Sequence, residues 1–160
     1  MIKNILDVDF KYEDNKLYRY SPYFIKWICC SDVKANNGGY IRILINKKTY
    51  SLHRLVYKYF NPDWDITDTS SNNQIDHINI NPLDNRIENL RVVNHSQNMR
   101  NKKKRQNCSS KYRGVCWHKK ANKWCACIHI NNKLKHLGLF DNEEEAYLAY
   151  KKVNDELMNF

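Results

Sequence analysis

Ile75-Asp76-His77-Ile78 and, twelve residues on, Leu90-Arg91-Val92-Val93-Asn94-His95-Ser96-Gln97-Asn98-Met99-Arg100 are the stretches whose reading decides the fold. Each opens on a short apolar run that predicts a strand, and the polar segment 79–89 between them reads as a loop. Asn94 predicts a helix N-cap. Gln97, three residues later, completes a capping-box pattern for a helix running from His95 into Met99-Arg100. The segment therefore reads strand, long loop, strand, helix.

That order matters because it carries Asp76 and His77 at the end of one strand toward Asn98 in the first turn of the helix. Phosphodiester hydrolysis needs a nucleophile and a counter-charge on the phosphate. A histidine with a pKa of roughly 6.5 takes a proton from water near neutral pH. A hard divalent cation on oxygen ligands polarises the phosphate and stabilises the leaving oxygen. One carboxylate and one amide oxygen are a sparse ligand set that leaves positions for water and phosphate. Taken singly the residues are ordinary: an Asp-His pair is usually surface polar, Asn89 a turn former, Asn98 a solvated helix residue.

Upstream, Tyr40 to Ile45 suits a strand after Gly38-Gly39, and Asn46-Lys47-Lys48 turns it into Thr49 to Leu52. His53 to Phe60 follows with Leu55, Val56, Tyr59 and Phe60 at helical spacing, and Pro62 stops it. Trp27 to Cys30 reads as another short buried strand, Asn61 to Gln74 as a loop, and Met1 to Tyr20 receives no assigned element. Downstream, 101–111 is basic and polar and reads as a linker, with a pattern that also satisfies a nuclear localisation signal. Tyr112 to Trp117, Lys123 to Ile130 and Lys133 to Phe140 read as three strands, with Asn131-Asn132 as a hairpin turn. Asp141 is the expected cap of a last helix, Asn142 to Leu157, with Ala146, Tyr147, Ala149, Tyr150 and Val153 on its apolar face.

The 160 residues suffice for one ordinary domain or two small ones. Net charge is +10, and its distribution says more than its size. From Asn89 to Phe140 there is no Asp or Glu against 13 Lys and Arg, while the rest of the chain carries 14 basic and 17 acidic residues. The excess positive charge lies in one block interleaved with Tyr112, Trp117 and Trp124, which points to a polyanion, nucleic acid first. No run approaches the roughly 20 apolar residues of a membrane span. The N-terminal residues, with Lys3, Asp7 and Asp9, lack a signal peptide's apolar region, so the expected location is intracellular, cytoplasmic or nuclear. Six cysteines include no Cys-x-x-Cys pair, so free thiols and no structural zinc are expected.

Several anchored positions over nearly fifty residues resemble a known pattern. His53-Arg54-Leu55-Val56, Asp76-His77-Ile78, Asn81-Pro82-Leu83-Asp84-Asn85, Glu88-Asn89-Leu90-Arg91-Val92-Val93 and Gln97-Asn98 are similar to the HNH endonucleases, closest to the homing type of phages and large DNA viruses. The resemblance implies a ββα-metal motif. It implies His77 as general base, Asp76 and Asn98 as ligands of a divalent metal, Mg2+ or else Mn2+, and Asn89 as the central Asn that braces the loop and orients the histidine. Ile80 stands where many relatives have Gly, and a β-branched residue disfavours positive φ. The cysteine pairs of relatives that add a zinc are absent.

Tyr112-Arg113-Gly114-Val115, Trp124, Ala126, Leu137-Gly138-Leu139-Phe140 and Glu145 to Tyr150 resemble the plant Apetala/ethylene-response-factor DNA-binding domain. That implies a three-stranded antiparallel sheet, backed by a helix, entering the major groove. Cys116, His118, His129 and Leu134 fall where arginines often sit in that family, so base reading does not carry over. The expected DNA contacts are Arg86, Arg91, Arg100, Lys102, Lys103, Lys104, Arg105, Arg113, Trp117, Lys119, Lys120, Lys123, Lys133 and Lys135, with Trp124 a packing residue. The combined expectation is an α+β chain: an HNH module over 1–100, a basic linker over 101–111 and an Apetala-like module over 112–160. Its function would be metal-dependent, site-preferring cleavage of double-stranded DNA, nicking as a monomer without an obligate protein partner. The rival reading is a non-catalytic DNA-binding or regulatory protein on a nuclease scaffold.

Overall fold

The computed structural model describes residues 1–102, 108–130 and 133–158. The chain is α+β and divides into two compact units, Met1–Asn101 and Lys102–Phe160. The expected Asn131-Asn132 turn lies outside the described residues, as do Lys103, Lys104 and Arg105.

The first unit opens with an antiparallel meander, β1 (Ile2–Ile5), β2 (Val8–Glu13), β3 (Lys16–Ser21) and β4 (Lys26–Cys29). Phe10 and Leu17 point into the core while Asp9 and Lys16 face solvent, the period-two alternation of a half-buried sheet. The reversals at Leu6-Asp7 and Asp14-Asn15 have positive φ at both residues, the two-residue turn whose twist matches the flanking strands. Only Asp14-Asn15 has a composition that marks such a turn, which is why the segment 1–20 was illegible in the sequence: Leu6 is a left-handed residue that no turn rule anticipates.

A second hairpin pairs β5 (Arg42–Ile45) with β6 (Lys48–Ser51) through Asn46-Lys47, again at positive φ. β5 starts two residues after the predicted Tyr40, because the Asn36 side chain accepts the Gly38 and Tyr40 N–H groups, both at 3.0 Å, and holds 36–40 in a turn. Helix α1 (Leu52–Phe60) follows directly. Leu52, Leu55, Val56 and Tyr59, at i, i+3, i+4 and i+7, form its buried stripe. The stripe shares one core with Phe10, Leu17, Ile43, Ile45, Ile75 and Leu90. The last two residues belong to the hairpin β7 (Gln74–His77) and β8 (Leu90–Val93), paired Asp76 with Arg91 and His77 with Leu90. Helix α2 (His95–Arg100) then starts on the predicted capping box: Asn94 accepts the Gln97 N–H, and Gln97 accepts the Asn94 N–H, each at 2.9 Å.

In the second unit β9 (Val115–His118), β10 (Lys123–Ile130) and β11 (Lys133–Phe140) form an antiparallel sheet in the order β11-β10-β9, against which helix α3 (Glu143–Met158) packs. Val115, Ala126 and Ala146 make the core, with Tyr112, Trp124, Leu137, Phe140 and Tyr147 around them. Sequence and structure differ at three places. β9 begins at Val115 and not Tyr112, because Gly114 sits at φ +74° and Ser110 Oγ accepts the Tyr112 N–H at 2.8 Å. Ser109 to Lys111, linker by composition, are bonded into this unit, with Ser109 Oγ accepting the Trp117 N–H and the Lys111 N–H donating to Glu143. Asn142, not Asp141, caps α3 by accepting the Glu144 N–H at 2.8 Å, and Asp141 instead pairs with Lys123 at 3.1 Å. Among the described residues no helix is long and apolar enough to cross a membrane.

Gly114 is the one glycine here with no room for a side chain: a Cβ would stand 2.0 Å from a ring carbon of buried Tyr150. Left-handed strain of ~1–2 kcal/mol and overpacking of ~1–3 kcal/mol add for Gly114→Ala. Urea unfolding should show the second unit about 3 kcal/mol less stable, with Tyr112 fluorescence reporting its transition. An unshifted transition would refute the close approach.

Candidate active site

The β7–β8 hairpin ends at His77, and the loop 78–89 must close over many polar groups before β8 begins. Asn89 closes it. Its Nδ2 donates to Asn79 Oδ1 at 3.0 Å and to the Asp84 carbonyl at 2.8 Å, its Oδ1 accepts the Asn79 N–H at 2.9 Å, and its carbonyl accepts the Ile78 N–H at 2.9 Å. A buried amide with every group satisfied is a rigid clasp, and its loss would leave several unpaired donors and acceptors.

Asn85 is the loop residue that touches His77. Asn85 Nδ2 donates to the Leu83 carbonyl at 3.1 Å, which turns Oδ1 toward His77 Nε2 at 3.2 Å. Oδ1 can only accept, so Nε2 carries the ring proton and Nδ1 keeps the lone pair. The His77 pKa lies below its ordinary 6.5, driven down by burial and only partly restored by Asn85 and by the Asp76 and Asp84 charges. The ring of His53 meets that of His77 edge-on at 5.1 Å, and Tyr40 lies 6.1 Å away. His53 is itself pushed down to about 3, chiefly by burial and then by His77.

Asp76 is buried, and its carboxylate is held from two sides. Arg91 donates to Oδ2 at 3.1 Å, and Asn101 Nδ2 reaches Oδ1 at 3.0 Å, Oδ2 at 2.9 Å and the His77 carbonyl at 2.7 Å. Asn98 donates to Gln74 Oε1 at 2.6 Å. Gln74 and Asp76 share one side of β7, and Asn98 and Asn101 share one face of the α2 turn, so the two amides meet neighbouring points on the same strand. Of the expected set, Asp76 and His77 end β7, Asn89 is bonded to Ile78, Asn79 and Asp84, and Asn98 is bonded to Gln74, while the carboxylate of Asp76 is bonded to Asn101 and Arg91. Asn101 and Asn85 are the residues that sequence reasoning missed. Asn85 stood in the quoted Asp84-Asn85 run without a role, and nothing local distinguishes Asn101 from the basic stretch that follows.

The oxygen donors suit a hard cation. The candidate oxygens are the Asp76 carboxylate, which already accepts from Arg91 and Asn101, and the Asn98 amide oxygen, whose Nδ2 donates to Gln74. Arg91 offsets the single negative charge of Asp76.

Of the expected DNA contacts, Arg91 is engaged with Asp76, and Arg86 makes two bonds of 2.8 Å to Asp84, whose carboxyl it holds down to about 2. Arg100 closes α2, and Arg113 donates to the Lys102 carbonyl. Lys119 and Lys120 are exposed in the β9–β10 turn, whereas Lys123 pairs with Asp141. Lys133 and Lys135 stand opposite Ile130 and Ile128, and so lie on the face of the sheet that carries the buried Ile128 and Ala126. The opposite face, where the plant-type resemblance would have arginines, carries Cys116, Cys125, Cys127 and His136. Trp117 is exposed but packs edge-on against the half-buried Trp124 at 5.0 Å. Burial and the neighbouring Cys116 and Cys127 push the Cys125 thiol up to about 11.

Residues 50–100 match the family model described as HNH endonuclease. The match begins at the end of β6 and takes in α1, β7, β8 and α2, so that Asp76, His77, Asn89 and Asn98 all lie inside it. The HNH match supports a DNA nuclease, and such enzymes generally use a divalent metal. No curated protein and no solved structure matches the chain.

Two properties of the HNH segment can be measured directly. A histidine kept neutral by burial binds its proton only in the unfolded chain, so the stability His53 contributes is intact above 6.5 and is lost as pH falls toward about 3. Between pH 7 and pH 5 the first unit should lose about 2 kcal/mol in urea unfolding, a slope that His53→Phe largely removes. Ile80 adopts φ +64°, the left-handed conformation a β-branched residue resists. Ile80→Gly should gain about 1 kcal/mol in the same assay; a loss would mean that Ile80 packing outweighs its backbone strain.

Proposed function

We propose that this protein is a homing-type, metal-dependent endonuclease that hydrolyses a phosphodiester bond of double-stranded DNA, with His77 as general base. The observation that carries the reading is the placement of His77: a buried imidazole whose Nε2 lies 3.2 Å from Asn85 Oδ1, next in sequence to the carboxylate of Asp76.

In this reading Nδ1 of His77 takes a proton from the attacking water. The phosphorus–O3′ bond breaks, leaving a 5′-phosphate and a 3′-hydroxyl. Asn85 is a positioning residue that fixes the tautomer, and Asn89 positions Asn85 by clasping the loop. Asp76 and Asn98, on the β7–β8–α2 scaffold of a ββα-metal site, would hold Mg2+ or Mn2+, which supplies positive charge for the phosphate and leaving oxygen. Arg91 and Asn101 set the direction of the Asp76 carboxylate. A single set of these residues per chain fits a nick by a monomer, and cutting both strands would take a second copy or a second event.

The second unit fits a DNA-positioning role, with exposed Lys119 and Lys120 contacting phosphates; such contacts set register and add salt-dependent affinity without reading sequence. A DNA substrate accords with action inside a cell.

With Mg2+ or Mn2+, the wild-type protein should relax supercoiled plasmid, and His77→Ala should do so about 1,000-fold more slowly. Because His77 must be neutral, activity should rise with pH with a midpoint below 6.5, the direction its burial dictates. Equal relaxation by both proteins, or none by either, overturns the assignment and leaves a DNA-binding protein on a nuclease scaffold.

A further inference from the structure

Antiparallel register joins three cysteines that no Cys-x-x-Cys spacing links in the sequence. Cys125 and Cys127 alternate onto one face of β10, and Cys116 on β9 pairs directly with Cys125. Directly opposed residues share a face of the sheet, so all three thiols project from the side away from Ala126 and Val115, which pack against α3. Their sulfur atoms all lie within 4.8 Å of one another. Cys125 is buried, Cys127 is half-buried and Cys116 is exposed, which gives the group a floor and an entrance. His136 stands opposite Cys127 on the same face, where a bulge after Ala126 restores the pairing.

We propose that Cys116, Cys125 and Cys127 form a thiolate site for a soft or borderline divalent ion, zinc by its chemistry, on the exposed face of the second unit's sheet. Three sulfurs around a tetrahedral zinc, each at about 2.3 Å from the ion, stand roughly 3.8 Å apart. The cluster needs a contraction of about 1 Å at most to reach that spacing. Packing alone accounts for Cys125 but not for Cys116, which is exposed. A disulfide would use two of the three sulfurs and leave the third beside it unexplained. Binding one divalent ion displaces three thiol protons and leaves a net charge of −1. The unit around it carries 13 Lys and Arg against 6 Asp and Glu over 102–160, a setting that favours that charge. His136 is the nitrogen the sheet offers for the fourth position. The site differs in kind from the one at Asp76: sulfur selects soft ions and oxygen selects hard ones.

The test uses the full chain, purified under reductant, stripped with a chelator and titrated with Co2+ and with Zn2+. One ion per chain with a sulfur-to-cobalt charge-transfer band is expected, and zinc should displace the cobalt. Oxygen ligands at Asp76 produce no such band, so nuclease failure and failure here are separable. Cys116→Ser, on the exposed edge of the group, and Cys127→Ser should weaken binding at least tenfold, while Cys108→Ser should bind as wild type. No charge-transfer band in the reduced wild type overturns the proposal. So does unchanged binding by both Cys116→Ser and Cys127→Ser, or a disulfide among the three in protein kept under reductant.

Discussion

The apolar stripe of α1 is the constraint on which the first unit depends. A hairpin of two four-residue strands is marginal in water, and β7–β8 has only that much pairing of its own. Ile75 and Leu90, one from each strand, bury into the cluster built by Leu52, Leu55, Val56 and Tyr59. Tyr59 also donates to the Met1 carbonyl at 2.5 Å, and Lys3 donates to the Tyr59 carbonyl at 2.8 Å, so the meander closes on the same helix. The β7–β8 hairpin is thus held by residues that precede it in sequence. Removing the stripe would cost the hairpin its floor before it cost any catalytic group its partner.

On that floor the site is a chain of polar contacts, each of which constrains the next. Asn89 closes the loop, the closed loop presents Asn85, and Asn85 sets which nitrogen of His77 is free. The network tolerates burial because nearly every group in it is paired, whereas a half-satisfied version would destabilise the fold. The rings of His53 and Tyr40 stand against His77. Burial lowers the His77 pKa, and the Asn85 amide partly restores it. Ile80, at positive φ, shows that the loop's conformation prevails over the preference of one of its residues.

The second unit divides its sheet into two chemically different faces. One packs Val115 and Ala126 under α3, and the other carries thiols and imidazoles. The basic block visible in the sequence does not become a basic outer sheet face, because period-two alternation sends Lys133 and Lys135 to the side of Ile128. Among the described residues its exposed cations include Lys119 and Lys120 at the β9–β10 turn as well as Lys133 and Lys135 themselves. Charge composition predicts a polyanion partner, but the pleat decides where the charges go.

The sequence by itself determined what is local. The capping box at Asn94, the stop before Pro62, the Asn46-Lys47 turn and the short strands around Asp76 and Leu90 depend on neighbours a few residues away, and all four formed as read. The hairpin that carries Asp76, His77 and the loop up to Asn89 was legible for the same reason, since a strand-loop-strand unit brings its own ends together. Tertiary structure alone decided the pairings that rest on distant closure. Asn101 meets Asp76 only once α2 docks on β7, and Asn85 meets His77 only once Asn89 clasps the loop. Cys116 joins Cys125 and Cys127 only through the register of two strands. The meander over 1–29 was hidden because Leu6-Asp7 turns against its own propensity, held there by the burial of Ile5 and Phe10 on either side. Hydrogen-bond partners and register are settled by the whole fold competing for the lowest free energy, and no window of sequence contains that competition.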